Sequence, residues 1–337
     1  MRRRTRILAF LALLSLGGGL AVDRPWEGDA FERTAARIEP LAPELRTRRR
    51  ELRRIRIASP EGETHLVLVD RQWVVEERGG HPADAERLIY LVDRLAAVTT
   101  RDVVSVNPER HALYGVTEEE GIHLEFFGPG GETLVHLLGG RMRRQETLEP
   151  SRVLLEFYLR RADAPEVVLA PGFLPPEVRP GAWIDGRLFR GMDWDRLFRL
   201  RREDLAGADS WELRREELSP EEAARSAGRV DHRWRLTEPA AAPADGAVAD
   251  AWAAAFTEVD AEDVRAPVRE ADPVAAHGPV SDLFEAETRE GRIFRLYLGR
   301  LETDGRRRAW REGRPWVYLL DPATVRQLRQ PADAFLP

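Results

Sequence analysis

Trp73-Val74-Val75-Glu76-Glu77-Arg78-Gly79-Gly80-His81-Pro82-Ala83-Asp84 is answered, 161 residues further along, by Trp234-Arg235-Leu236-Thr237-Glu238-Pro239-Ala240-Ala241-Ala242-Pro243-Ala244-Asp245. The tryptophan and the Pro-Ala-Asp triplet share that offset, and so does Asp102-Val103 against Asp263-Val264. Self-similarity at one fixed period is the mark of a duplicated unit. Further on the offset drifts by small gaps. Gly115 corresponds with Gly278 at 163, Leu138-Gly139 with Leu298-Gly299 at 160, and Tyr158-Leu159 with Tyr318-Leu319 at 160.

The two copies agree in physical pattern. Asp84 stands where a helix N-cap would, and Leu88, Leu91, Val92, Leu95 and Val98 follow at helical spacing to give one apolar face. In the second copy Asp245 caps, while Leu91 becomes Trp252, Leu95 becomes Phe256 and Val98 becomes Val259. The face survives although its residues change, as a packing constraint requires. Around each helix the period switches to two. Arg54 to Ile57 and Thr64 to Val69 flank Pro60-Glu61-Gly62 as a hairpin, followed by Gln72 to Val75. Ile122 to Phe127 and Thr133 to Leu138 flank Gly128-Pro129-Gly130-Gly131, and Phe284 to Thr288 and Ile293 to Leu298 flank Glu290-Gly291. Asp185-Gly186, between Trp183-Ile184 and Arg187-Leu188-Phe189, reads as a two-residue hairpin turn. Strands joined by tight turns are antiparallel. The expected fold is α+β: two tandem, duplicated lobes, each a mainly antiparallel curled sheet with one principal helix, after an N-terminal hydrophobic helix.

That last helix comes from the amino terminus. Met1-Arg2-Arg3-Arg4-Thr5-Arg6 precedes an uncharged run from Ile7 to Val22, a basic flank before an apolar segment. At about 1.5 Å per residue the run spans roughly 24 Å, short of a roughly 30 Å hydrocarbon core but within reach of snorkelling arginines. A signal anchor and a signal peptide cut after Ala21 both fit, with Gly19 and Ala21 as the small residues at −3 and −1. The arginines belong inside and the rest of the chain outside. The expected organisation is residues 1–22 as signal anchor or signal peptide, 23–50 as a juxtamembrane segment, 51–200 as the first lobe and 201–337 as the second. The expected location is the inner membrane through Ile7–Val22, with the bulk periplasmic, or secretion after cleavage. The basic run Arg46, Arg48, Arg49, Arg50, Arg53, Arg54 and Arg56 reads as a solvated face.

Composition narrows the chemistry. The 337 residues are 43% hydrophobic, ample for packed cores. All 52 basic side chains are arginine, cysteine is absent, and Asn107 is the sole asparagine. Without lysine there is no Schiff base and no Walker-type phosphate loop. Without cysteine there is no disulfide, thiolate nucleophile or cysteine-zinc site. A net charge of −6 gives no basic field for nucleic acid, which is not an expected partner.

The order of a strand hairpin, Trp73, Pro82-Ala83-Asp84 with its helix, Asp102-Val103-Val104, Asn107-Pro108-Glu109, Tyr114-Gly115-Val116 and paired strands ending in Leu138-Gly139 resembles the bacterial domain-of-unknown-function family numbered 4340. The resemblance covers Ile55 to Leu169, and Trp211 to Leu328 more weakly as the repeat. The second copy departs from it with His277-Gly278-Pro279, and Arg141-Met142-Arg143-Arg144 replaces a glycine-marked turn. The resemblance implies a membrane-anchored, envelope-facing chain encoded beside ABC-type transporter components of the gliding-motility auxiliary type. It carries over no catalytic residue. Trp73, Asp84, Gly115, Gly139, Trp234, Asp245, Gly278 and Gly299 are the structural anchors of the repeat.

Three constellations bear on chemistry. In a hairpin centred near Pro129-Gly130, His123 and His136 fall opposite each other with Glu125 on the same face, a donor set for zinc or another divalent ion. A solvent-facing strand surface accounts for the same three residues, and no metal or cofactor is expected. Asp193-Trp194-Asp195 brackets an aromatic with two carboxylates, as sugar-cleaving sites do, although i and i+2 share a face only on a strand. Among the nine tryptophans, Trp73, Trp211, Trp234 and Trp252 fall on repeat elements as core. Trp183, Trp194, Trp310 and Trp316 lie near turns and arginines, where exposed aromatics stack on sugars or on a partner, although core or edge packing is the better reading of them. The leading expectation is a non-enzymatic, membrane-anchored, envelope-facing binding or scaffolding protein, accessory to an ABC-type transporter complex. An envelope-polymer hydrolase using Asp193, Asp195 or a cleft between the lobes, and a secreted glycan-binding module, are the rivals.

Overall fold

The computed structural model describes residues 38–146, 153–172, 175–205, 207, 209–219, 221–222, 232–265 and 278–337. The expected hydrophobic helix Ile7–Val22 lies outside the described residues, with residues 23–37 and His277. Among the described residues no helix is long and apolar enough to cross a membrane.

The first unit contains β1 (Arg54–Ser59), β2 (Gly62–Val69), β3 (Gln72–Val75), β4 (His81–Pro82), β5 (Val103–Ser105), β6 (Ile122–Phe127), β7 (Thr133–Glu146), β8 (Val153–Arg161) and β9 (Val167–Pro171). The second contains β10 (Leu197–Asp204), β11 (Trp211–Glu217), β12 (His232–Glu238), β13 (Ala242–Pro243), β14 (Asp263–Arg265), β15 (Asp282–Thr288), β16 (Ile293–Leu301), β17 (Arg307–Arg311) and β18 (Val317–Leu320). The first sheet runs β4-β3-β2-β1-β6-β7-β8-β9-β5 and the second β13-β12-β11-β10-β15-β16-β17-β18-β14. Adding nine to every strand of the first order yields the second, so the duplication extends to every strand.

Each unit carries one principal helix, α1 (Ala85–Ala97) and α2 (Gly246–Thr257). Asp84 accepts from the backbone N–H groups of Glu86 and Arg87, and Asp245 from those of Ala247 and Val248. Such caps contribute about 1 kcal/mol each. Leu88, Leu91, Val92 and Leu95 are buried as their spacing requires, each worth roughly 1.5–3 kcal/mol. In α2 the same face is aromatic. Trp252 meets Trp211 edge-on with centroids 4.9 Å apart and stacks on Phe256 at 5.5 Å. The buried indoles keep their N–H groups bonded, Trp252 to the Leu328 carbonyl, Trp211 to that of Gln330 and Trp234 to Asp250. Buried apolar side chains from Leu41 to Phe335 form one contiguous core through both units.

Each unit is closed by backbone bonds equivalent to those of the other. Leu41 N–H donates to the Val98 carbonyl (2.8 Å) and Leu188 N–H to that of Val259 (3.0 Å). Asp84 N–H donates to the Trp183 carbonyl and Asp245 N–H to that of Phe335, both at 2.8 Å. Hence the single 3-10 turn Pro180–Trp183 closes the first unit as Ala332–Phe335 closes the second, and Gly186 to Leu188 opens the second. The division expected at residue 200 falls inside β10, and the units meet near Ile184 and Asp185.

The hairpin expected at Asp185-Gly186 is absent. Ile184 bridges to Ala83 in the first unit and Arg187 to Asp260 in the second. Neither turn residue has the positive φ that such a turn needs. Gly186 serves instead a close approach, since a Cβ there would fall 2.3 Å from the Ala261 carbonyl oxygen. Two repeat anchors also shift. Leu159 lies between Gly139 and Val168, and its counterpart Ala309 between Leu298 and Tyr318. Leu298, not Gly299, therefore takes the place of Gly139, and Tyr318 that of Val168 rather than of Tyr158. The first shift comes from the β6–β7 hairpin, which carries a bulge between Phe126 and Phe127 and one residue more than β15–β16, and the second from the β7–β8 hairpin, which is longer than β16–β17. Phe157 fills the space over Gly139, where a Cβ would meet its ring at 2.2 Å. Gly115 and Gly278 do correspond: both are left-handed, at φ 68° and 74°, and both face an arginine, Arg141 and Arg300.

At one core position the two units exchange an aliphatic side chain for a charged one. Arg202 of β10 stands where Ile57 stands in β1, paired with Phe284 and Trp211 as Ile57 is with Leu124 and Thr64. It is buried against Asp282 (3.0 Å), with Asp209 and the carbonyls of Arg329 and Gln330 satisfying its other donors. Desolvation makes such a pair a weak source of net stability but an exacting one in geometry. It fixes the C-terminal segment to the second sheet.

Because the core is continuous, the units should unfold together. In urea, far-ultraviolet and tryptophan signals should follow one transition, and Trp183→Ala should lower stability by about 3–5 kcal/mol while keeping that single transition. Two resolved transitions in the unsubstituted chain would contradict a shared core.

Candidate functional site

The seam between the units holds a polar cleft of about 840 Å³ lined in part by Arg78, Asp84, Arg179, Asp260, Asp263 and Arg306. Arg78 follows β3 in the first unit, and Asp263 opens β14 in the second. Their fork is bidentate, Nε to Oδ1 at 2.5 Å and Nη2 to Oδ2 at 2.8 Å. Gly181 lets the chain pass, since a Cβ there would lie 2.6 Å from the Asp263 carboxyl carbon. Asp185 holds Arg187 and Arg190, both at 3.0 Å. Desolvation in the groove pushes the Asp260 carboxyl up, opposed by Arg187 and reinforced by the charges of Asp185 and Asp84.

A second groove of about 640 Å³ adjoins Asp260 and is lined by Arg187, Arg190, Asp193, Trp194 and Asp195 among others. Trp194–Arg196 is one turn of 3-10 helix, so the two aspartates are not the same-face pair a strand would make. Asp193 is exposed and paired with Arg196 at 3.5 Å, and the Asp195 carbonyl accepts from Arg215.

The four tryptophans weighed as surface binding candidates separate. Trp183 is 2% exposed, under Arg87, with its indole N–H bonded to the Glu177 carbonyl. Its neighbouring Asp-Gly suggested a turn tip, whereas the segment is a buried joint. Trp194 is 37% exposed. Trp310 lies on Tyr297 and bonds the Arg314 carbonyl, and Trp316 packs edge-on against His81 at 4.8 Å. Of the expected core set, Trp211, Trp234 and Trp252 are buried and Trp73 is half-buried against the core.

The β6–β7 hairpin brings His123 and His136 together in a different geometry from that expected. In register Glu125 faces His136 and His123 faces Leu138, so the histidines are diagonal neighbours on one face. Their rings lie nearly parallel, 5.2 Å between centroids, with His123 Nδ1 3.1 Å from His136 Nε2. Glu125 is not the third member, because Arg56 of the neighbouring strand takes its carboxylate at 2.6 Å. Glu118, from the turn before β6, takes that place, with Oε2 3.8 Å from His123 Nδ1. The ligand atoms of Glu118, His123 and His136 lie within 4.8 Å of one another. Glu118 was invisible in the period-two pattern because it belongs to a turn. Burial lowers the His136 imidazole, opposed by Glu125 and Glu118.

A family model described as Domain of unknown function (DUF4340) matches residues 73–230. The match begins at Trp73 and stops just short of Trp234, so it spans about one period of the repeat, cut out of phase with the structural units. It reaches further toward the C-terminus than the resemblance over Ile55 to Leu169. No curated protein and no solved structure matches the chain.

The seam predicts a pH dependence. His81 of β4 is buried against Trp316 and Tyr318 of the second unit, with its Nδ1 at 2.9 Å from the Pro82 carbonyl. Desolvation lowers its affinity for a proton, with the Pro82 carbonyl pulling the other way. The unfolded chain therefore takes up this proton first, near pH 6.5, so the His81 contribution is intact above about that value and is lost as pH falls from there toward the folded-state value. His81→Phe keeps the ring contacts and removes the proton site. Its urea midpoint should fall less than that of the unsubstituted chain between about pH 6.5 and 5, and parallel curves would refute the assignment.

Proposed function

We propose that this chain, whose residues 73–230 match the DUF4340 family model, is a non-enzymatic binding or scaffolding protein. In this reading Ile7–Val22 holds it at the inner membrane, the bulk faces the periplasm, and its partners are subunits of an ABC-type transporter complex. The observation that carries the proposal is the fusion of two equivalent nine-stranded sheets into one body through a single core. A body of that kind presents two related faces at a fixed separation, which suits assembly.

The polar side chains of the second sheet support the reading. Arg199 is engaged by Glu287 and Glu212, and Glu285 by Arg201 and Arg295. Arg233 pairs with Glu216. These groups satisfy one another across the strands and order the face as a surface.

One observation favours a hydrolase as the second reading. Burial raises the Asp260 carboxyl in the groove that Asp193 and Asp195 border, the direction in which a proton donor is tuned. If that reading is right, a preparation active on envelope polymers should lose turnover in Asp193→Asn or Asp195→Asn with folding intact.

Affinity capture of the full-length chain from detergent-solubilised membranes tests the first reading. In a strain whose adjacent genes encode an ABC ATPase and permease, both should be recovered at levels well above a capture from untagged cells. Recovery of neither would count against the proposal.

A further inference from the structure

We infer that Glu118, His123 and His136 form a binding site for a divalent d-block cation, Zn²⁺ above all, with open coordination positions facing solvent. The inference stands apart from the scaffolding reading.

Three features of the geometry carry it. The first is the spacing of the nitrogens. Two imidazole ligands on tetrahedral zinc, each at about 2.0–2.1 Å, lie about 3.3 Å apart. His123 Nδ1 and His136 Nε2 are already 3.1 Å apart, on strands whose pairing holds both rings to one face. The second is the orientation of the His123 ring. Its Nε2 is 2.8 Å from the Glu118 main-chain carbonyl. A carbonyl only accepts, so Nε2 carries the proton and the neutral ring presents its Nδ1 lone pair toward His136. A ligand histidine that donates its other N–H to a carbonyl is the usual outer-shell arrangement at metal sites. The third is the third donor. The same residue that orients His123 through its carbonyl offers its carboxylate 3.8 Å from that Nδ1, and the side chain is about half exposed, free to swing inward.

Without a cation, a proton must sit between two nitrogens that both point at one locus. A cation replaces that shared proton with two coordinate bonds and draws in a carboxylate. Two nitrogens and one oxygen suit zinc better than magnesium or calcium, which take oxygen ligands. Binding would also clamp the turn Thr117–Gly121, which carries Glu118, onto the sheet. The remaining positions would be filled by water or by a donor from a partner.

Calorimetric titration of the full-length chain with ZnCl₂ at neutral pH should give one saturable equivalent, and MgCl₂ none. Co²⁺ in its place should give visible absorption bands of low-coordinate nitrogen–oxygen ligation. His123→Gln, His136→Gln and Glu118→Gln should each weaken Zn²⁺ binding at least about tenfold, with unchanged circular dichroism. His65→Gln, on another strand, should leave it unaltered. Zn²⁺ should also slow amide exchange in the turn Thr117–Gly121, a readout that does not depend on any variant folding. Absence of a saturable equivalent, or wild-type affinity in a folded His136→Gln chain, would overturn the assignment.

Discussion

Each unit closes on one main-chain bond. The backbone N–H of the residue that caps the principal helix donates to a carbonyl at the end of that unit, Asp84 to Trp183 and Asp245 to Phe335. While its side chain satisfies the first helical N–H groups, the same aspartate ties the helix start to the closing segment. The closing aromatic is thereby seated in the core, and in the first unit the chain passes straight on to the second through Ile184 and Arg187. The cleft, the Arg78–Asp263 fork and the His81–Trp316 contact all follow from where that joint delivers the chain.

What the sequence made legible was whatever local physics dictates. The caps, the helical faces and the hairpins around Pro60 and Pro129 are properties of short windows, and they stand in the structure as read. The duplication was legible because packing preserves a face while residues drift. Three things were not legible. Asp185-Gly186 carries the residues of a turn, yet the glycine answers a long-range approach to Ala261. The registers around Gly139 and Leu298 depend on the length of a hairpin, which a constant offset cannot express. The third donor beside the two histidines depended on a competition across strands: Arg56 claims Glu125, so a turn residue, Glu118, takes the position.

The two units have also diverged along a physical axis. Where Ile57 fills the core in the first unit, Arg202 enters it in the second and brings Asp282 with it. The equivalent Thr64 and Trp211 both bond the chain segment that closes their unit, through the Val178 and Gln330 carbonyls respectively. One constraint, anchoring the closing segment to the second strand, is met by a small hydroxyl in one copy and by a large indole in the other. The extra volume of Trp211 is accommodated by the aromatic cluster with Trp252 and Phe335. Aliphatic packing of the first helix and aromatic packing of the second are thus alternative solutions to one geometry, which is why composition alone hid their equivalence.

The absence of lysine takes on a structural meaning here. A guanidinium presents a planar fork with several donors, whereas an ammonium is a compact charge that loses hydration less readily. Arg78 spans the seam with two nitrogens on two oxygens, and Arg202 satisfies a carboxylate, a second carboxylate and two carbonyls from within the core. Neither arrangement can be made by a lysine at the same position. Whatever bias of the genome first supplied arginine, these joints now require its geometry, so the basic side chains that excluded several chemistries at the level of composition are part of what holds the two units as one body.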